Sequence, residues 1–414
     1  MHQTPVPAEV PAPQSAMYPA VAARARGVGR LVGVDLARGL AVFGMFAAHV
    51  GPDPSEGGIT GFLMELSHGR ASALFALLAG FSVILMTGRR TPKTGREGRQ
   101  AVAKVLIRAA ILLVLGTLLT KTGTPIEVIL AFYGLYFVLV LPLYRLGAGR
   151  LAAIAVGTAL VLPQVRFMVE WAIESGGPGV GSWAAGMGGP GAVLVDLLFT
   201  GSYPALSWLP FVIAGMAVAR LDLASTAVRL RLALTGAAVA VLGYGGSWLA
   251  LHLVPGAAGG LAEAYGSGGE SGTGTGSVMS AWWSDIAGDP TTDTPAWLLT
   301  ASPHSETTLS ILGNTGVALL VLIACITACD RLVSFRRLAR PVIAVGTMSL
   351  TVYVFHIVAI NLLGMEELPG EPLLLLIVFI VVSALFAVSW SRHFSRGPLE
   401  SLLNSATRIA RHVK

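Results

Sequence analysis

Three side chains in the first apolar segment have the types and spacing to do chemistry together. Asp35 and Arg38 stand near its start and His49 near its far end. Ionisable groups in hydrocarbon are costly and are retained for a function. At about 100° per residue, the eleven steps from Arg38 to His49 close three turns plus about 20°, so both side chains leave the helix on one face. At roughly 1.5 Å per residue they stand about 16 Å apart along its axis. Histidine takes up a proton near neutral pH, which acyl transfer to a hydroxyl or amine demands. Arginine presents a planar fork that suits phosphate. The plainer account of the same residues is an ion pair of Asp35 with Arg38, three apart on a helix, and a histidine at the membrane interface.

A second set lies in GTMSLTVYVFH, where Ser349, Tyr353 and His356 follow at spacings of four and three and share a helix face. His356 lies about fifteen residues in from Pro341, at a depth like that of His49, so histidines of two helices could share a cavity. A hydrogen bond from Tyr353 and His356 to a neighbouring helix explains the pattern without chemistry. His68 and Arg70 immediately precede the second apolar run. Arg70 either pairs with an acid such as Glu65 or faces an anionic ligand. Asn314, within GNTG, either binds a ligand or serves helix packing, which Gly313 and Gly316 invite. Cys325 and Cys329, four apart in one apolar run, point to two small core residues and to neither a disulfide framework nor a metal site.

The elements that must position these groups are membrane helices. A mean hydropathy of +0.72 with only 12% charged residues lies far outside the soluble range. Apolar runs recur at about 31–50, 72–88, 103–120, 126–144, 151–165, 204–220, 231–254, 307–328, 342–363 and 372–391. The sequence therefore predicts an all-α polytopic bundle of about ten spans with both termini cytoplasmic. That orientation places about 24 of the 28 basic residues on the inner side, leaving out Arg38, Arg70, Lys121 and Arg166. The basic balance reports topology and implies no nucleic-acid partner.

Residues 1–27, rich in Pro and Ala, read as a disordered cytoplasmic tail, 28–402 as the membrane domain, and 403–414 as a basic cytoplasmic tail. Two Gly-rich external stretches, about 166–203 and 255–306, have a composition that argues against a separately folded domain. Trp282 and Trp283 in the second suit the outer interface better than a sugar platform. Small residues spaced along the first span leave room for a homo-oligomer.

DLARGLAVFGMFAAH resembles the first-helix signature of membrane acyltransferases, in which an Asp, an Arg three later and a His fourteen after the Asp recur. GTMSLTVYVFH is similar to their late helix ending in His. VDLARG, GRASALFALLAG, GNTG, GTMSLTVY and RGPLESLL, in that order, resemble YeiB-like membrane proteins, relatives of heparan-α-glucosaminide N-acetyltransferase. The resemblance covers roughly 28–145 and 305–402. It implies an integral membrane protein, in contact with membrane lipid, that moves an acyl group, acetyl from acetyl-CoA, to a hydroxyl or amine of an extracytoplasmic or lipid-linked saccharide. The Gly-rich composition and high basic pI suit a bacterial plasma membrane. Arg38, steadied by Asp35 and helped by the basic loop at 89–108, would bind the CoA phosphates, with Arg70 and Asn314 also on the cofactor side. His49, oriented by Tyr353 or His356, would be the general base or would carry the acyl group transiently.

The heparan enzyme has Asn at the position of His49 and a catalytic His in the loop before its second span. His68 lies in that loop but nearer the following helix, so it is assigned to the acceptor side. The rival class is a transporter of a small polar or lipid-linked solute along the same charged line. No GxxxxGK[ST] loop is present to drive it with ATP.

Overall fold

Each of the ten apolar runs falls on helix, and no strand occurs among the described residues. The computed structural model describes residues 31–176, 186, 188–267, 278–284, 292–364 and 372–413. The tail at 1–27 and most of the two glycine runs lie outside the described residues.

The helices are α1 (Val32–Val50), α2 (Gly58–Glu65), α3 (Arg70–Thr87), α4 (Gly95–Thr120), α5 (Ile129–Val140), α6 (Ala148–Glu174), α7 (Ala205–Arg220), α8 (Thr226–Leu253), α9 (Ala257–Ser267), α10 (Thr308–Arg331), α11 (Arg340–Thr347), α12 (Ser349–Leu363), α13 (Pro372–His393) and α14 (Pro398–Ala406). Seven helical segments are long and apolar enough to cross a membrane singly, and two bent pairs raise the number to nine. The shorter apolar helix Ile129–Arg145 accounts for the remaining run. The molecule is an integral, multi-pass helical bundle.

At the centre stands α1, packed against α3, α10 and α11. Without water between helices, close backbone approach supplies the packing, and small residues permit it. A Cβ built on Gly346 would lie 1.7 Å from the carbonyl oxygen of Asp35, and one on Gly39 would lie 2.1 Å from that of Val342. The pair lets α1 and α11 cross in backbone contact beside Asp35 and Arg38.

The structure redraws several expected boundaries. α6 continues to Glu174, so the first part of the expected 166–203 loop is helix. Gly191–Thr200 is helical too and joins α7 at a 63° bend. The run at 342–363 is two helices meeting at 87°, broken at Met348. The stretch at 255–306 holds α9 and the 3-10 turn Pro295–Leu299, and its Leu261, Val278, Ala281 and Trp297 form a small core with Leu251 of α8. This core forms a cap at one end of the bundle. Trp282 packs against it, while the Trp283 ring meets Phe62 at 5.8 Å. At the C-terminus, residues past 402 pack against α4. α14 is followed by the 3-10 turn Thr407–His412, and the Gln100 amide donates to the carbonyls of Arg411 at 3.1 Å and Val413 at 3.2 Å.

Candidate active site

His49 leaves the last turn of α1 and His356 the middle of α12, and the two rings stack with Nδ1 of His49 3.0 Å from Nε2 of His356. The 87° bend before α12 swings its apolar face onto α1, and Phe46 packs its ring 4.7 Å from that of His356. His356 is fully enclosed, and its Nδ1 makes no hydrogen bond to any described residue. His49 lines a cavity of about 1130 Å³. That volume exceeds the several hundred Å³ that serve most small ligands. The cavity forms where α1, α3, α5, α7, α10 and α12 end or begin, so side chains at many helix termini converge on it.

The wall facing His49 is built by the strand of loop leading into α10. His304 and Glu306 both sit at positive φ, 58° and 55°, an uncommon backbone state for residues with a Cβ. Such outliers persist where surroundings enforce them and cluster at functional sites. Glu306 accepts from Ser207 Oγ at 2.5 Å and from Trp208 Nε1 at 2.6 Å, and it pairs with Arg166 at 2.9 Å. Arg166 also holds Glu170 at 2.7 Å and donates to the Phe199 carbonyl at 3.1 Å. Burial pushes the Glu306 carboxyl up to about 7, against the pull of Arg166, Ser207 and Trp208 toward the charged form. The His304 ring packs against Tyr203 at 5.8 Å and Trp208 at 6.4 Å. His68 lines the same cavity, so His49, His68 and His304 share one chamber with an acid that can change charge near neutrality.

Arg38 lies at the other end of the bundle. It donates to Asp35 at 3.1 Å and to Ser82 Oγ at 2.7 Å, and it lines a second cavity of about 220 Å³ with Arg108 and Glu400. Glu400, from α14, accepts from the backbone N–H groups of Leu350 at 2.8 Å and Thr351 at 3.1 Å and from Thr351 Oγ at 2.6 Å. A carboxylate at those orphan donors caps the first turn of α12 and complements its dipole. The helix carrying His356 is therefore anchored at the Arg38 cavity. An aromatic layer of Phe75, Tyr133 and Tyr353 lies between the chambers, with Phe75 stacked on Tyr133 at 5.5 Å and on Tyr353 at 6.3 Å.

Of the residues singled out by sequence, the structure joins His49 to His356 and sets His68 in the same chamber. Tyr353 does not reach His49. Its hydroxyl accepts from the Ile129 N–H at 3.1 Å and its ring packs edge-on against His356 at 5.0 Å. Arg70 and Asn314 are placed apart from Arg38. Arg70 and Ser82 are twelve residues apart on α3, about 18 Å along its axis. Arg70 donates to the carbonyls of Glu65 and Trp283, each at 2.6 Å, and to Tyr244 Oη at 3.0 Å, and lies 4.0 Å from the Glu65 carboxylate. Tyr244 donates on to Asn314 at 2.7 Å, and Asn314 to Ser310 at 3.2 Å. This buried network ties α3, α8 and α10 to the cap rather than lining either cavity. Among the described residues no group of three His, Cys, Asp or Glu side chains could hold a metal ion.

Sequence reasoning missed the roles of Glu306, His304 and Glu400. One signal pointed to Glu306 alone. Three of the four cations that broke the charge rule, Arg38, Arg70 and Arg166, each stand beside a buried or part-buried carboxylate, that of Asp35, Glu65 and Glu306.

A family model described as heparan-alpha-glucosaminide N-acetyltransferase, catalytic, matches residues 30–253, more than half of the chain. A second, described as a protein of unknown function, DUF418, matches residues 279–410. No curated protein matches the chain.

Proposed function

The chain belongs to the heparan-alpha-glucosaminide N-acetyltransferase family of transmembrane acyltransferases, and from that membership we propose that it transfers an acetyl group from cytoplasmic acetyl-CoA to a hydroxyl or amine of an extracytoplasmic or lipid-linked saccharide. The observation that carries this reading is His49, backed by His356, on the wall of a large cavity and about 16 Å along α1 from Arg38 in a cation-lined one.

The donor enters from the Arg38 side. At about 220 Å³ that cavity is too small for a nucleotide but admits a slender arm. The CoA phosphates stay at its mouth, drawn by Arg38 and Arg108, and the thioester reaches toward His49. The acceptor occupies the larger chamber with His68, His304 and Glu306.

With Nδ1 of His49 engaged by His356, Nε2 is left for the chamber. When the Nδ1 proton is donated to His356, Nε2 of His49 carries the lone pair and is a base. It takes the proton of the acceptor O–H or N–H as the acceptor atom bonds to the thioester carbonyl carbon. The C–S bond then breaks, and the thiolate leaves with the proton from His49 as free CoA. Transfer through an acyl-histidine uses the same nitrogen as nucleophile. His356 is a positioning residue that fixes the tautomer.

The test is thermal stability of the detergent-purified protein with and without millimolar acetyl-CoA, beside acceptor-dependent CoA release. A ligand at a hundred times its Kd adds about 2.7 kcal/mol. The wild type is expected to be stabilised and Arg38→Ala to lose the effect. His49→Ala should keep it and release no CoA, while His356→Ala should lose about 10²- to 10⁴-fold in turnover with a shifted pH profile. Full activity of His49→Ala would remove the base assignment. Solute flux with no acyl donor, along the two cavities in line on α1, would favour a carrier instead.

A further inference from the structure

The two chambers come within one helical turn of each other. Ser72 lines the large cavity and Phe75 the small one, three residues apart on one face of α3, about 4.5 Å along the axis. What separates them is the layer of Phe75, Tyr133 and Tyr353, and Tyr353 rests on His356. Within this layer the Tyr133 hydroxyl is an anomaly. It is buried and makes no hydrogen bond to any described residue, although Tyr353 beside it has a partner. Leaving a buried hydroxyl unsatisfied is costly, and a phenylalanine would fill the same space without that cost.

We propose that Tyr133 is a donor-binding residue: its hydroxyl donates a hydrogen bond to a carbonyl of the acyl-CoA arm when the arm parts the aromatic layer on its way from the Arg38 cavity to His49. The inference rests on the acyl-CoA reading of the site. The pantetheine arm is a thin chain bearing amide and thioester carbonyls, all acceptors and all in need of a donor once stripped of water. The rings of Phe75 and Tyr353 give its methylenes an apolar sleeve, and Tyr133 supplies the polar contact. With no arm present the layer is closed, which keeps the acceptor chamber from the far side of the membrane.

The test uses Tyr133→Phe in the full chain, with thermal stabilisation titrated by acetyl-CoA and by adenosine 3′,5′-bisphosphate, a nucleotide that lacks the arm. Removing an unsatisfied hydroxyl should leave the ligand-free protein as stable as wild type or more so. The half-saturating acetyl-CoA concentration should rise about tenfold, the equivalent of one hydrogen bond of about 1.4 kcal/mol. The response to the bisphosphate should be unchanged. An unaltered acetyl-CoA titration in Tyr133→Phe overturns the assignment. So does a lower stability of the ligand-free variant, which would show the hydroxyl to be structural. If acetyl-CoA does not stabilise the wild type, the donor reading itself falls, and this outcome is separate from the other two.

Discussion

At the residue scale, Glu306 makes the stability of the fold depend on pH. Its carboxyl faces Arg166, Ser207 and Trp208, with Glu170 on the far side of Arg166. Burial raises it from the usual 4.5 to about 7. In the unfolded chain the proton leaves near 4.5, whereas in the folded protein it is held to about 7, so the folded state binds the extra proton between those values. Stability from this group is thus fully present below about 4.5 and declines as pH rises through about 7. Glu306→Gln mimics the protonated form and should flatten the fall of the melting temperature between pH 5 and 8. A wild-type-like pH slope in the variant would show that another group carries it. The residue was hard to single out by sequence because Glu306 gains its partners from α6 and α7, about 100 or more residues away in the chain.

At the element scale, legibility followed how local the cause was. The face of α1 shared by Asp35, Arg38 and His49 follows from helical periodicity, and the helix is unbroken as that arithmetic requires. The break before α12 has no such local cause. Met348 leaves the helix at φ −131°, and the donors it exposes are taken by Glu400, about fifty residues on. No 3.6-residue pattern can report a cap supplied by another helix. Glu400→Ala should therefore cost about 0.5–2 kcal/mol, as losing an N-cap does. It should also lower turnover, because α12 positions His356 against His49. Glu400→Gln keeps an accepting oxygen and should restore most of both. Equal loss in the two variants would mean that the charge, and not the cap, matters.

At the scale of the whole molecule, hydropathy and charge were enough to forecast a ten-run bundle, because the bilayer penalises any backbone left unpaired and so enforces helix. They could not forecast the cap, since glycine-rich composition hides a core of five residues gathered from Leu251 to Trp297. The cap matters for the site through its exit. The Trp297 carbonyl accepts from Thr300 N–H and Oγ, the Thr300 carbonyl accepts from Thr307 Oγ at 2.5 Å, and the loop so pinned carries His304 and Glu306 into the chamber. The Arg38 cavity lies at the opposite end and shares no residue with this device. Trp297→Ala, which empties the middle of the cap core, should cost about 3–5 kcal/mol locally. It should reduce acceptor-dependent CoA release while the acetyl-CoA-induced stabilisation persists. Loss of both would make the cap part of the main fold, and loss of neither would detach it from the site. The expected split places acceptor recognition at the capped end and donor recognition at the other, joined by α1 and α12, which reach both.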